Sequence, residues 1–227
     1  MTPLAIPFKE SYYYSQGVTQ GANPILVEVE TDEGITGYSE CNCVHSHNML
    51  RAAIQYMGGL IVGKNPFQTE KIQVELYHAT QRQLGGIAHQ AISGIDAALL
   101  DIKGKALGVP VYQLLGGKVR DRIRVYQSAH GSTPEALASH ARYLIETYGY
   151  TALKIGPVAP DFDKESWGMQ LDSAERRMAA VREAVGDEID IGVDPHAKIF
   201  EPARALEMAE RIRPYRPYFF EEPVRPE

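Results

Sequence analysis

Residues 189–194, Ile-Asp-Ile-Gly-Val-Asp, decide the fold of this chain, because they form a short apolar run that ends in a carboxylate. Comparable runs stand at residues 122–126, 151–155 and 218–221, and stretches with helical periodicity separate them. Strands that alternate with amphipathic helices at spacings of about 30 to 40 residues predict a parallel sheet with right-handed crossovers. We therefore expect α/β architecture in this part of the chain.

The region that shows this alternation is too short for a complete eight-stranded α/β barrel. Such a barrel needs about 250 residues, whereas the alternation is confined to residues 118–227. We expect three β/α units and a fourth strand, either as an open sheet or as the first half of a (β/α)8 TIM-type barrel truncated after the fourth strand. Because the edge of the last strand would be unpaired, we expect the isolated chain to aggregate or self-associate.

Residues 1–117 show a different pattern. Residues 24–30 and 35–40 alternate apolar with polar side chains on either side of a turn sequence, which predicts a β-hairpin. Residues 48–107 then show helical periodicity, with an apolar face at Ile92, Ile95, Ala98, Leu99 and Ile102. We interpret residues 1–117 as an α+β domain that precedes the α/β domain of residues 118–227.

The composition is that of an ordinary cytoplasmic enzyme. The 227 residues include 44% hydrophobic and 23% charged residues, with a formal net charge of −6. The absence of a basic stripe argues against nucleic acid as a partner, and no apolar run is long enough for a membrane span or a signal peptide. The two cysteines, Cys41 and Cys43, are poorly placed to pair, which excludes a disulfide framework.

Three charged residues, Lys154, Asp194 and Glu221, stand at the carboxyl ends of consecutive predicted strands. In parallel α/β folds this edge of the sheet is where active sites are built. The carboxylates of Asp194 and Glu221 suit Mg²⁺, and we expect both side chains to point into one shared space above the sheet. Three alternatives stay open: Lys154 keeps its head in solvent, Asp194 caps the following loop, and Glu221 pairs with a neighbouring arginine.

Five stretches taken together carry a family resemblance. They are residues 25–40, 95–105, 108–117, 149–154 and 220–223. In this order they resemble the enolase superfamily, specifically the mandelate racemase-like branch of acid-sugar dehydratases. The resemblance implies an enolase-like capping domain over residues 1–117 and a partial (β/α)8 barrel over residues 118–227. It also implies that Asp194 and Glu221 are Mg²⁺ ligands.

The element that begins at Lys154 departs from the pattern of the racemases. Lys154 matches the first lysine of their Lys-x-Lys element, whereas Gly156 stands where they have the second lysine. In the racemases that second lysine is a base on one face of the substrate, so its absence argues against two-base racemisation.

The sequence Asp194-Pro195-His196 resembles the Asp-x-His element of the galactonate dehydratase-like members. There the histidine is the acid that helps the β-hydroxyl leave, and histidine suits proton delivery near neutral pH. An extended strand end would direct the side chains of Asp194 and His196 to the same side of the sheet. The alternative is a loop histidine that contacts solvent or Glu201.

The resemblance implies a lyase, a hydro-lyase that acts on a small-molecule sugar acid. The α-proton is removed, Mg²⁺ holds the enediolate with Lys154 beside it, and the β-hydroxyl leaves as water. The third carboxylate ligand and the base belong to later strands of the family, so we expect this chain alone to be inactive and the full-length form to be a homo-oligomer. The alternatives are a racemase or cycloisomerase of the same superfamily, and a catalytically inactive half-barrel that serves assembly.

The segment 41–47, Cys-Asn-Cys-Val-His-Ser-His, contains residue types that bind zinc, although its spacing is not that of a standard zinc finger. By the resemblance, this segment belongs to the capping loops that close over the substrate. We therefore predict that His45 and His47 contact the sugar acid. A plain loop beside the hairpin is the simpler alternative.

Overall fold

The computed structural model describes residues 1–14, 17–42, 47–83, 85–158 and 162–225. The chain divides into two compact units: Met1–Tyr12 with Thr19–Asp121, and Tyr13–Val18 with Arg122–Glu227. Every helix in the described part of the chain is too short or too polar to span a membrane.

The described residues of the amino-terminal half form five strands followed by four α-helices. The strands are β1 (Thr2–Pro3), β2 (Ile6–Tyr14), β3 (Gly17–Ala22), β4 (Ile25–Glu30) and β5 (Thr36–Cys41). The helices are α1 (His47–Ile61), α2 (Thr69–Thr80), α3 (Gly86–Leu107) and α4 (Val111–Leu114). One sheet has the order β1-β4-β5 and a second pairs β2 with β3. The antiparallel pairing of β4 with β5 confirms the predicted hairpin.

Helix α3 packs closely against this hairpin because glycines stand at two points of contact. A Cβ atom at Gly94 would collide with the sulfur of Cys41, and one at Gly37 would collide with the carbonyl of Ala98. The Cys41 thiol donates to the carbonyl of Gln90 at 3.3 Å, and its burial raises its pKa. The predicted apolar face of α3 is confirmed by the burial of Ile92, Ile95, Ala98, Leu99 and Ile102.

The described residues of the carboxyl-terminal half form a four-stranded parallel sheet covered by three α-helices. The strands are β6 (Gln127–Ser128), β7 (Ala152–Ile155), β8 (Asp190–Val193) and β9 (Phe219–Phe220), in that order across the sheet. The helices are α5 (Pro134–Tyr148), α6 (Trp167–Val185) and α7 (Pro202–Ile212). One apolar layer lies between sheet and helices, with fully buried side chains at Leu137, Leu153, Ile155, Met178, Ile191 and Met208.

Helix α5 begins and ends where its sequence signals predict. The hydroxyl of Thr133 accepts a hydrogen bond from the backbone N–H of Ala136, and Pro134 occupies the first helical position. The helix ends at Gly149, whose φ of 71° is a left-handed conformation that glycine adopts without steric cost. These signals set the direction in which the chain enters β7.

The first strand of the parallel sheet lies later than predicted, and the expectation of a strand at residues 122–126 is wrong. Gln127 pairs with Leu153, the second residue of β7. In this register residues 122–125 lie before the first residue of β7, so they pair with no strand of the described residues. The side chains of Ile123 and Val125 are exposed as a result.

Candidate active site

The register of the parallel sheet places Lys154, Asp194 and Glu221 on one face at the carboxyl ends of their strands. Lys154 lies beside Gly192, and Gly192 lies beside Phe219. Because side chains alternate along a strand, Asp194 and Glu221, each two residues further on, share this face. It is the face opposite the apolar layer that packs against the helices.

Lys154 lies between the two carboxylates. Its Nζ is 2.9 Å from Oδ2 of Asp194 and 3.2 Å from Oε2 of Glu221. The side chain of Lys154 is 18% exposed and that of Asp194 is 9% exposed, so solvent screens this contact less than a surface ion pair. This contact excludes the alternative in which Lys154 keeps its head in solvent.

The charge of Lys154 depends on these partners. Burial alone lowers the pKa of Lys154, but the hydrogen bonds and charges of Asp194 and then of Glu221 outweigh this effect and raise it above its ordinary value. Lys154 is therefore a cation at neutral pH. Glu221 pairs with this lysine. The alternative in which Glu221 pairs with a neighbouring arginine is therefore wrong.

Asp194 uses its two carboxylate oxygens for different tasks. Oδ2 contacts Lys154, while Oδ1 accepts a hydrogen bond of 2.7 Å from the backbone N–H of His196. The backbone N–H of Asp194 donates to the carbonyl of Ile155 at 2.9 Å, which ties the end of β8 to the end of β7. The carboxylate thus caps the following loop and pairs with the lysine at the same time.

The chain turns sharply after each of the two carboxylates. His196, Ala197 and Glu222 have φ values of 55°, 54° and 39°, a left-handed conformation that costs roughly 1–2 kcal/mol per non-glycine residue. The N–H of Ala197 donates to the carbonyl of Glu222 at 2.9 Å, so the two turns hold each other. The expectation of an extended strand end that carries both Asp194 and His196 is wrong at His196, because the left-handed φ of His196 ends the extended backbone.

An aromatic pair lies beside Lys154 on the same face. A Cβ atom at Gly192 would collide with the ring of Phe219, so this glycine makes room for the ring. The rings of Phe219 and Tyr126 lie 5.6 Å apart between centroids. Nζ of Lys154 is 5.7 Å from the centroid of Tyr126, within the range of a cation–π contact. Sequence reasoning missed this role of Tyr126, because nothing in its local pattern points to Lys154.

Arg177 of α6 reaches the same end of the sheet from the helix side. The residue is 4% exposed, and its guanidinium donates to the carbonyls of Gly131, Ser132 and Gly156. Its hydrogen bonds within the described residues all go to backbone carbonyls, and burial lowers its pKa. Sequence reasoning also missed Arg177, although a helical period places it on the buried stripe, three residues after Ala174.

The two carboxylates form a donor set that fits Mg²⁺. Because both contact the same ammonium group, their nearest oxygens cannot be farther apart than about 6 Å, the sum of the two measured distances. Ligand oxygens on one Mg²⁺ lie at most about 4.2 Å apart, so the two carboxylates could share an ion once the Lys154 ammonium group moves from between them. Within the described ranges no third His, Cys, Asp or Glu completes a cluster, so water and substrate oxygens would supply the other positions.

The other predicted contacts with the substrate lie in the amino-terminal half. His47 is the first residue of α1 and is half-buried, while His45 and Cys43 lie outside the described residues. Cys41 faces Gly94 of α3, which is the environment of a core thiol and not of a zinc ligand. Contacts of His45 and His47 with a sugar acid stay predictions.

Known proteins match both halves of the chain. Residues 2–116 match the family described as Mandelate racemase / muconate lactonizing enzyme, N-terminal domain, and residues 136–227 match Enolase C-terminal domain-like. A D-galactonate dehydratase of Xanthomonas oryzae pv. oryzae (strain PXO99A) is 38% identical over 201 residues, which cover 88% of this chain and 52% of that protein. The chain therefore spans about half the length of the curated relatives it matches.

Solved structures share the fold. An enolase from Agrobacterium radiobacter with bound sodium and L-malate has a TM-score of 0.83 and 32% identity, over 99% of this chain and 56% of that chain. A dipeptide epimerase from Enterococcus faecalis V583, complexed with Mg and L-Leu-L-Tyr, has a TM-score of 0.81 and 27% identity, over 98% and 59%. The shared architecture is a capping domain followed by an α/β region.

Proposed function

Because this chain belongs to the mandelate racemase / muconate lactonizing enzyme family of the enolase superfamily, we propose that it carries part of the active site of a Mg²⁺-dependent sugar-acid dehydratase. The observation that carries this proposal is the lysine cation held between Asp194 and Glu221 at the carboxyl end of a parallel sheet. The similarity to D-galactonate dehydratases supports the class of substrate, a carboxylate with a hydroxyl group on its β-carbon.

Removal of the α-proton of a carboxylate needs positive charge close to the substrate's carboxylate oxygens, because that proton is a very weak acid. Mg²⁺ held by Asp194 and Glu221 would supply Lewis-acid charge there. Lys154 would add a second positive charge, since its carboxylate partners keep it protonated. One ammonium group cannot neutralise two carboxylates, so the three groups keep a net negative charge that favours a divalent cation.

His196 is the acid in this proposal. The imidazole would give its proton to the β-hydroxyl oxygen, the C–O bond would break, and water would leave. The backbone N–H of His196 is bound to Asp194, which holds this residue next to a candidate metal ligand. The proposal names no residue of this chain as the base that takes the α-proton.

Residues 1–117 are proposed as the capping domain and residues 118–227 as the barrel part. In this arrangement His45 and His47 would contact the sugar acid from the capping domain. The racemase alternative is disfavoured at Gly156, where a Cβ atom would meet only the carbonyl of Asp194 at 3.9 Å. Packing therefore does not exclude a side chain at this position, so the missing second lysine points to a different reaction.

Titration calorimetry with Mg²⁺ tests the metal site. Asp194→Asn should weaken Mg²⁺ binding at least about tenfold, because it removes one of two charged ligands. Asp190→Asn is the matched control, since Asp190 lies on the same strand and the same face, at the opposite end. Equal affinities of the wild type and Asp194→Asn, or an equal loss in Asp190→Asn, would contradict the site.

The acid is tested in a complete enzyme that contains this chain. His196→Asn should keep Mg²⁺ affinity and slow dehydration by about 10²-fold or more, which is the usual effect of a lost general acid. Exchange of the α-proton with solvent deuterium should survive, because its base lies elsewhere. Dehydration at the wild-type rate, or loss of Mg²⁺ binding, would show that His196 has another role.

A further inference from the structure

The end of β7 is held by donors from three different segments. The carbonyls of residues 154–156 accept hydrogen bonds, in order, from the N–H of Ala129 at 2.9 Å, the N–H of Asp194 at 2.9 Å and Nε of Arg177 at 3.1 Å. The first two donors are backbone groups that extend the sheet ladder. The third donor is a side chain. It binds the carbonyl of Gly156, to which no backbone N–H of the neighbouring strands donates within the described residues.

The same guanidinium holds the loop that follows β6. It donates to the carbonyl of Gly131 at 3.0 Å and to that of Ser132 at 3.4 Å. The loop is tightly placed, since a Cβ atom at Gly131 would collide with the backbone of Leu137 at the start of α5. One rigid planar group with several donors therefore links the loop after β6 to the end of β7.

Packing does not explain a guanidinium at this position. Apart from Ser173, its buried neighbours on α6 are apolar, and Ala174, Met178 and Val181 are at most 1% exposed. A buried cation without a carboxylate partner carries a desolvation penalty that an apolar side chain would not have. The carbonyl groups that Arg177 holds are the compensation that the structure offers for this penalty.

We propose that Arg177 is a positioning residue for the candidate active site. By fixing the carbonyls of Gly131, Ser132 and Gly156, it keeps Lys154 in place between its two carboxylates. The inference rests on the proposed function only in taking Lys154, Asp194 and Glu221 as the active site. Arg177 acts through the backbone and does not touch the reacting groups.

Helix α6 offers a matched control, Arg182. Its guanidinium also donates to backbone carbonyls, but these belong to the amino end of the sheet, at Gly186, Ile189, Tyr215 and Arg216. Arg177→Gln and Arg182→Gln thus each remove a guanidinium group from the same helix, one at the carboxyl end of the sheet and the other at its amino end. A purely structural role would loosen the backbone near each arginine and leave Mg²⁺ affinity at the wild-type value in both variants.

Amide hydrogen exchange of the full chain, read by mass spectrometry, shows which backbone segments each arginine holds, and Mg²⁺ titration separates the two roles. Arg177→Gln should speed exchange about tenfold or more in peptides 127–133 and 154–158 and leave peptides 186–190 and 213–217 unchanged. Arg182→Gln should give the reverse pattern. Titration with Mg²⁺ alone should show weaker binding in Arg177→Gln and wild-type binding in Arg182→Gln. Arg177→Lys, which keeps the charge but loses the planar fork, should restore only part of the protection.

Protected peptides 127–133 and 154–158 in Arg177→Gln, the same exchange pattern in both variants, or wild-type Mg²⁺ affinity in Arg177→Gln would overturn the proposal. If Arg177→Gln does not fold, Arg177→Lys is measured in its place and the same readings decide. If the wild type binds no Mg²⁺, the proposed function fails, whereas the exchange comparison still decides whether Arg177 fixes the loop after β6 and the end of β7.

Discussion

The two ends of the parallel sheet pair their charges differently. At the amino end, Arg124 meets Asp190 at 2.6 Å and Arg216 meets Asp187, one acid for each base, on exposed side chains. At the carboxyl end, Lys154 meets two acids and is only 18% exposed. The amino-end pairs are neutral, while the carboxyl-end group retains one uncompensated negative charge.

This difference indicates which end is built for chemistry. Left-handed backbone directly follows each of the two carboxylates, at His196, Ala197 and Glu222, whereas at the amino end Arg216 is the one non-glycine residue of the described ranges that has it. Strain and uncompensated charge weaken a fold, and they persist where a function requires them. Helix α6 supports both ends, through Arg177 at one and Arg182 at the other.

The largest expected effect comes from removing the shared cation. Lys154→Met should lower the free energy of unfolding by about 2–3 kcal/mol in EDTA, because two carboxylates would then face each other in a partly buried place. Mg²⁺ should restore part of this stability by taking the position of the ammonium group. Urea unfolding with and without Mg²⁺ measures both effects, and a loss that Mg²⁺ does not reduce would contradict the comparison.

Two glycines at the same end of the sheet give the next largest effect. Gly192→Ala should cost about 1–2 kcal/mol, because its Cβ atom would collide with the ring of Phe219 and displace it. Gly156→Ala should change stability by less than about 0.5 kcal/mol, since its Cβ atom meets only a carbonyl at 3.9 Å. Equal losses in thermal unfolding would show that the aromatic pair does not constrain this face.

The two ends should lose their charge-linked stability at opposite extremes of pH. The pKa of Lys154 is raised in the folded state, so its contribution is complete below the unfolded pKa of about 10.4 and is lost as pH rises through the higher folded pKa. Arg216 lowers the pKa of Asp187 through a hydrogen bond and its charge. That contribution is present above about pH 3.9 and is lost as pH falls through the lower folded pKa.

Unfolding of the metal-free protein from pH 3 to pH 11 checks these signs. Above the acid range in which carboxylates take up protons, the stability difference between the wild type and Lys154→Met should stay constant up to about pH 10 and shrink above it. The difference between the wild type and Asp187→Asn should shrink only in acid. A Lys154→Met difference that shrinks in acid alone would contradict the raised pKa.

The smallest effect is expected at the amino end. Arg124→Met should lower stability by about 0.5 kcal/mol, because the pair with Asp190 is exposed and screened by solvent. Added salt should reduce this loss further, and Mg²⁺ affinity should stay at the wild-type value in calorimetry. Weaker Mg²⁺ binding in this variant would show that the two ends are not independent.

The sequence by itself determined the strands β7 and β8, the helix α6 between them and the common edge at which Lys154, Asp194 and Glu221 lie. It could do so because apolar periodicity is local, and because parallel strands joined by helices bring their carboxyl ends to one edge. The hairpin of β4 and β5 followed from alternation and turn residues in the same way. All of these features are encoded within one element or its immediate connection.

Only the tertiary structure decided how these elements meet. The start of β6 depends on its register with β7, about one helix away in sequence, and the turn at His196 depends on hydrogen bonds to Asp194 and from Ala197 to Glu222. The hydrogen bonds of Arg177 join the loops that follow two different strands, β6 and β7. Periodicity carries no information about such contacts, because their geometry is set only when segments distant in sequence pack together.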